Sequence, residues 1–263
     1  MNLLQAIILG LIQGITEWLP ISSTGHLRVI ENLMGLQLPI AFDGLLHIGT
    51  ILVTIVFFNK YIREILSALW RKDFKTETGR TIPLIVIGTV PTVVIGLVFG
   101  DMIEAAFGGL LPIAGAFAVC GIVLYASKMG KESHSSPSVI EALLIGTAQG
   151  IAIIPGLSRS GLTISAALLF GLKREKAFSF SFVLSIPAIL GAVGLKLFTE
   201  SDALVPSGVE AVEILVAVVI SMVVGYFALK LLQKTLVVRK FHLFAFYCWF
   251  IATVLVGLSL SGF

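Results

Sequence analysis

The chain says one thing twice, and both times it does so inside apolar sequence. Residues 10–26 read Gly-Leu-Ile-Gln-Gly-Ile-Thr-Glu-Trp-Leu-Pro-Ile-Ser-Ser-Thr-Gly-His, and residues 146–161 read Gly-Thr-Ala-Gln-Gly-Ile-Ala-Ile-Ile-Pro-Gly-Leu-Ser-Arg-Ser-Gly. At an offset of 136 positions Gly10, Gln13, Gly14, Ile15 and Gly25 meet identical residues, Ser22 meets Ser158, and Thr24 meets Ser160. The match continues at Gly35-Leu36 with Gly171-Leu172 and at Ala41-Phe42 with Ala177-Phe178. Apolar helix interrupted twice by Pro, Gly and small hydroxyl residues is the pattern of a polar site built at a membrane midplane from two related halves.

The solvent is set by composition. The chain is 57% hydrophobic and 13% charged, where a soluble domain carries about 25% charged residues, and its mean hydropathy is +1.04. This predicts an integral membrane protein with no role for nucleic acid. The N-terminus has no basic region ahead of its apolar run, so no cleavable signal is expected. Cys120 and Cys248 both fall in apolar segments, which offers neither a disulfide framework nor a Cys-rich metal site.

A bilayer-spanning helix needs about 20 apolar residues. Six spans are expected, at roughly 41–58, 83–100, 110–127, 177–198, 211–233 and 242–261. Basic residues concentrate in particular loops: Lys60, Arg63, Arg71, Lys72, Lys75 and Arg80 after the first span, Lys128 and Lys131 after the third. Lys173, Arg174 and Lys176 precede the fourth span, and Lys234, Arg239 and Lys240 precede the sixth. Asp101 and Glu104, then Glu200, Asp202 and Glu210, mark the acidic loops. Short Lys/Arg-rich loops stay cytoplasmic, which places both termini outside.

The second repeat, about 139–171, has a basic loop on either side, so it enters and leaves on the cytoplasmic face as a re-entrant hairpin. Three spans separate the repeats, an odd number, so the two hairpins enter from opposite faces. The expectation is one all-α membrane domain over 1–263. It has six transmembrane helices plus two re-entrant helical hairpins, in an inverted repeat of about 1–127 and 139–263. Non-helical backbone at that depth must be buried in protein or face a water-filled cavity.

Ser22, Ser23, Ser158 and Ser160 are placed as N-caps of short helices over 24–34 and 161–170. A helix N-terminus offers unpaired N–H groups and partial positive charge, which suits phosphate. Arg159 adds a planar fork that binds phosphate bidentately. An Arg at membrane depth costs several kcal/mol, roughly 2.5 or more; a structural pairing with Glu17 is the simpler alternative. Glu17 is a candidate for direct chemistry or a counter-ion to Arg159. Gln13, one turn before it, has a symmetric twin in Gln149, which favours a structural hydrogen-bonding job, with substrate binding by Gln13 as the alternative. His26 lies three residues after Ser23, and its imidazole can act as nucleophile or acid/base near neutral pH. Asp43 and His47 form either an i,i+4 pair at the membrane edge, or outer partners to the site, or a cation site. His134 and His242 read as solvated.

Gln13-x-x-x-Glu17 followed by Pro20-Ile-Ser22-Ser23-Thr24-Gly25-His26 resembles the first signature of the undecaprenyl-diphosphate phosphatases, the bacitracin-resistance family. Pro155-Gly156-Leu157-Ser158-Arg159-Ser160-Gly161-Leu162-Thr163 resembles its second. Phe42-Asp43 through His47-Ile-Gly49-Thr50 is similar to a third stretch, where other members carry Glu and Gln. The resemblance implies hydrolysis of a polyprenyl diphosphate to the monophosphate carrier lipid for cell-wall synthesis. It implies that Glu17, Ser23, His26, Arg159 and Thr163 are active-site residues, with Ser22, Thr24, Ser158 and Ser160 around them. It also implies a divalent cation, Mg²⁺ or Ca²⁺, held by Glu17 together with the diphosphate. The first signature position varies between Glu and Gln in the family and is Gln13 in this chain, which leaves one carboxylate there.

The mechanism expected is metal-assisted phosphoryl transfer in which positioning and electrostatics lower the barrier. The nucleophile is left open among His26, Ser23 and a water activated by His26 with Glu17. The polyprenyl tail lies among apolar residues, and the polar cavity opens to the extracytoplasmic face of the cell membrane. A homodimer is compatible with six lipid-facing spans but not demanded by them. The rival reading is a transporter or flippase of a lipid phosphate or another anion, since two inverted hairpins at a midplane suit that task equally. His26 beside Ser23 and Glu17 favours chemistry, because releasing an anion needs no nucleophile.

Overall fold

The computed structural model describes residues 1–36, 38, 40–199 and 209–261; the loop acids Glu200 and Asp202 lie outside them. Among the described residues the order is α1 (Leu3–Trp18), α2 (Ser23–Leu33), α3 (Ile40–Phe57), α4 (Asn59–Trp70), α5 (Glu77–Ala106) and α6 (Leu110–Ala126). It continues with α7 (Val139–Ile151), α8 (Arg159–Leu169), α9 (Arg174–Thr199), α10 (Ala211–Val237) and α11 (Phe244–Leu260). Five helices (α5, α6, α9, α10 and α11) are long and apolar enough to cross a bilayer. A sixth span is counted if α3 and α4 are one element bent by 82°. The chain is a multi-pass, all-helical membrane protein. The sequence places a polar loop after 58, but those residues form α4; the expected end of the first span at 58 coincides with the break. Its local cause is Asn59, whose side-chain amide donates to the Val56 carbonyl at 2.7 Å and competes with the helical ladder there.

The repeated glycines have a packing reason. α1 lies along α10 and α7 lies along α5. A Cβ at Gly10 would lie 2.5 Å from the Ala217 carbonyl oxygen, and one at Gly14 would lie 2.8 Å from that of Ser221. Gly146 abuts the Gly88 backbone, and Gly150 abuts Thr92 and Ile95. Small residues four apart let two backbones approach in lipid, where contact and not water exclusion drives association. α1 and α7, with 16 and 13 residues, are each too short to span, and each is held in a groove formed by a long helix distant in sequence.

Gly35 and Gly171 end α2 and α8 in left-handed conformation, with φ of +63° and +98°. The following Leu36 and Leu172 donate back to Glu31 and Ala167 at 2.9 and 3.0 Å, the bonding that stops a helix at a glycine. The basic loops gather at one end of the molecule. Lys176 pairs with Glu77 at 2.5 Å, and Glu132 receives both Arg174 and Arg239 at 3.2 and 3.3 Å. His134 belongs to this cluster, 3.3 Å from Glu141, and is tied to protein instead of being simply solvated. Arg28 and Glu104 meet at 3.5 Å between α2 and α5.

Candidate active site

α1 stops two residues before Pro20 and α7 four before Pro155, and the two breaks meet. Ser22 caps α2 by accepting from Gly25 N–H at 3.3 Å, and Ser158 caps α8 by accepting from Gly161 N–H at 3.1 Å. Ser23 and Ser160, expected as caps, lie inside the first turns, because Ser22 and Ser158, one and two residues earlier, are the hydroxyls that reach the third helical N–H. The helices therefore run 23–33 and 159–169, one to two residues earlier than the sequence suggested.

The tips brace each other. Ser22 Oγ also accepts from Gly156 N–H at 3.0 Å, and Ser160 Oγ donates to the Leu19 carbonyl at 3.5 Å. Ser22 has φ +67°, a conformation costing a non-glycine residue about 1–3 kcal/mol and sustained only by surrounding contacts. A Cβ at Gly156, φ +99°, would lie 2.6 Å from the Ile113 carbonyl, so only glycine passes there.

Glu17, the last-turn carboxylate of α1, is the hub. Its side chain is 4% exposed. Oε1 receives Arg159 Nη2 across the tip junction, and Oε2 accepts Ser23 Oγ–H at 2.6 Å and Gln13 Nε2–H at 3.3 Å. His47 Nε2 lies 3.5 Å from the same Oε2. Its Nδ1 donates to the Asp43 carbonyl at 2.7 Å, so Nε2 can donate to Glu17 only as imidazolium. Of the readings left open for this residue, its position beside Glu17 fits an outer partner of the site, and its link to Asp43 is through the main chain.

Two polar atoms in this cluster are buried without a partner: Arg159 Nη1 and Gln13 Oε1. Arg159 thus has one arm of its fork on Glu17 and the other uncommitted. Thr163, one turn along α8, donates to the Arg159 carbonyl at 2.8 Å. Thr24 is half-buried in the first turn of α2, and Ser158 and Ser160 hydroxyls are 3.2 Å apart.

His26 is close by but not bonded to Ser23. Its Nδ1 donates to the Ser22 carbonyl at 2.7 Å, and its Nε2 is 2.8 Å from the hydroxyl of Tyr247 on α11. Phe117 of α6 meets the ring edge-on at 5.2 Å. Tyr247 carried no signal in the sequence, since a tyrosine in a terminal apolar span reads as an interfacial anchor.

With this geometry in view, comparison with known proteins is direct. The family model described as Bacitracin resistance protein BacA matches residues 6–254. The chain belongs to the BacA family. The match takes in both tips, Glu17, Arg159 and α11 as far as Tyr247 and beyond. Among BacA-family relatives, a Carboxydothermus hydrogenoformans protein named undecaprenyl-diphosphatase is 40% identical over 268 residues, covering 100% of this chain and 99% of its own. A Treponema denticola protein of the same name is 41% identical, covering 99% and 97%. One from Methanosphaera stadtmanae, likewise named, is 38% identical over 98% and 99%.

Proposed function

We propose that this chain is a polyprenyl-diphosphate phosphatase, taking undecaprenyl diphosphate to the monophosphate and inorganic phosphate where the two helix breaks meet. One observation carries the reading: Arg159 Nη1 is buried and unpartnered beside a serine whose hydroxyl is bonded to a carboxylate at 2.6 Å. An unpaired buried guanidinium nitrogen is costly unless an anion completes it. The N-termini of α2 and α8 converge on the same place and add positive partial charge from two directions. The family names point to the same substrate class.

The step that suits the geometry is in-line attack by Ser23 Oγ on the terminal phosphorus. The Ser23 proton passes to Glu17 Oε2, an Oγ–P bond forms, and the anhydride P–O bond breaks to release the polyprenyl monophosphate. Water then cleaves the phosphoserine: Glu17 returns the proton to Ser23 Oγ as the Oγ–P bond breaks, and inorganic phosphate leaves with the protons of the attacking water. Arg159 and the helix ends hold the phosphate oxygens throughout, which is where most of such a barrier is lowered. Of the three nucleophiles open from the sequence, Ser23 is favoured because Glu17, not His26, touches its hydroxyl.

Among the described residues no three His, Cys, Asp or Glu side chains converge on a metal position, so a complete protein cage does not fit. A hard cation shared with substrate does fit: Gln13 Oε1 and Glu17 supply oxygens, and Mg²⁺ commonly binds through one or two protein oxygens plus phosphate and water. Such an ion would neutralise charge on the bridging and terminal phosphate oxygens.

We place α1–α2 and α7–α8 as re-entrant hairpins entering from opposite membrane faces, with the polyprenyl tail in lipid. The site opens to the extracytoplasmic side, and the end bearing Lys176, Arg174 and Arg239 is cytoplasmic. The test is phosphate release from undecaprenyl diphosphate by purified protein, with and without Mg²⁺, beside Arg159→Ala and Ser23→Ala. Release lost in both variants supports the reading. No release from folded wild type under any metal condition refutes it and favours transport of a lipid phosphate.

A further inference from the structure

We infer that α4 lies in the plane of the membrane surface and holds an anionic phospholipid. The headgroup phosphate sits in the cleft between α4 and the start of α5, and the acyl chains lie on the bare apolar face of α4. Helical spacing divides α4 into three faces. Ile65 and Ala68 are buried, and on the same side the Tyr61 hydroxyl lies 3.3 Å from Thr81 Oγ1 of α5. Leu66, Leu69 and Trp70 form a second, uncovered face, with Trp70 90% exposed. Lys60, Arg63, Ser67 and Arg71 form the third. The 82° bend sets α4 across the axis of α3. With α3 crossing the bilayer, α4 runs along its surface, at the end where Lys176 meets Glu77. A helix in that plane puts its apolar face among acyl chains and its cations among headgroups, and tryptophan favours that boundary.

The polar face forms one wall of a cleft of about 680 Å³, and the turn into α5 forms the other. Lys60, Arg63 and Arg71 line it. Neither Lys60 nor Arg63 has an ion-pair partner among the described residues, and Arg71 donates to the Ser67 carbonyl through Nε at 3.4 Å. Two acids also line the cleft. Asp73 is engaged by the Lys75 and Thr76 backbone N–H groups at 3.0 and 3.3 Å, and Glu64 stands beside three cations. Over residues 59–80 six basic side chains outnumber three acidic ones, so the surface around the cleft attracts anionic lipid. Arginine forks suit its phosphate. Free phosphate would leave the apolar face beside the cleft bare; a lipid uses both, which decides the occupant. The cleft shares no residue with the active site and stands apart from the phosphatase reading.

The test is native mass spectrometry of the full chain in detergent, titrated with phosphatidylglycerol or with phosphatidylcholine of the same acyl chains. Wild type is expected to hold phosphatidylglycerol roughly tenfold more tightly or better. Lys60→Gln/Arg63→Gln/Arg71→Gln should erase that preference, since losing a bond to a charged group weakens binding about tenfold or more. Lys72→Gln/Lys75→Gln/Arg80→Gln removes the same charge from the same segment outside the cleft and should leave the preference intact. Equal loss in the two triple variants would reduce the effect to general charge attraction and overturn the site. Equal affinity of wild type for the two lipids would overturn it as well. Full displacement of the lipid by inorganic phosphate at equal concentration would make the cleft a free-phosphate site instead. A second readout needs no change to the cleft. Phosphatidylglycerol brominated in its acyl chains should quench tryptophan emission beyond phosphatidylcholine with the same bromines, and Trp70→Phe should remove the excess. An excess that survives Trp70→Phe would put the lipid elsewhere.

Discussion

Replacing Arg159 by lysine keeps the positive charge and removes the fork. In the native site one guanidinium nitrogen is on Glu17 and the other is uncommitted, so a single ammonium can serve the carboxylate or the phosphate but not both. A hydrogen bond to a charged group contributes about 1.5–3 kcal/mol, and 1.36 kcal/mol is a factor of ten in rate. Arg159→Lys should therefore lower kcat/KM roughly 13- to 160-fold while leaving thermal stability nearly unchanged. Arg159→Ala should do more, because it leaves Glu17, 4% exposed, without its main cation. Breaking a buried pair this way costs about 3–5 kcal/mol, toward the lower end with His47 still 3.5 Å away. Phosphate release and thermal unfolding, measured on the same detergent preparations, separate the two effects. If Arg159→Lys kept more than half of wild-type kcat/KM, Nη1 would not be meeting the substrate. An unchanged melting temperature in Arg159→Ala would show that the ion pair contributes nothing to the fold.

Glu17→Gln keeps the shape of the hub but removes the proton acceptor at Ser23, and kcat should fall about 10²–10⁴-fold. With terminally labelled diphosphate and an acid quench, wild type should retain label on the protein and Ser23→Ala should not; label persisting in Ser23→Ala would move the nucleophile elsewhere. Gln13→Ala should raise the Mg²⁺ concentration needed for half-maximal activity, and an unaltered metal titration would remove Gln13 from the cation's surroundings. Gly10→Val and Gly146→Val should each destabilise by about 1–3 kcal/mol through overpacking against Ala217 and Gly88, read as a lower unfolding temperature.

The site was largely legible because polar residues at membrane depth have few reasons to be there. The paired Ser and Gly positions announced themselves through the repeat, Glu17 and Arg159 as charges in apolar segments, and the structure brings them together. His47 was ambiguous for a physical reason: it lies 30 positions beyond Glu17, and the offset that relates the halves puts Val183 opposite it, so symmetry offers no check. Tyr247 was invisible because its contact is a tertiary one, across 221 positions, between a hydroxyl and a ring nitrogen. The cap positions slipped by one or two residues because four hydroxyls compete for two N-termini, and only backbone geometry chooses among them. The end of α3 matched the expected end of the first span at 58, but α4 was missed because its charged residues, Lys60 and Arg63 among them, read as a loop.

The glycine-lined contacts bear on how the protein comes into being. α1 has its groove on α10, which begins at residue 211, whereas α7 finds α5 already made. At about 5–20 residues per second, the first hairpin waits roughly 10–40 s on the ribosome for its partner, with Glu17 and Gln13 lacking their final surroundings. The second hairpin docks as soon as it emerges. Assembly is therefore lopsided in time even though the halves match in sequence, and a nascent chain truncated before α10 presents an acidic, unpacked helix to the insertion machinery.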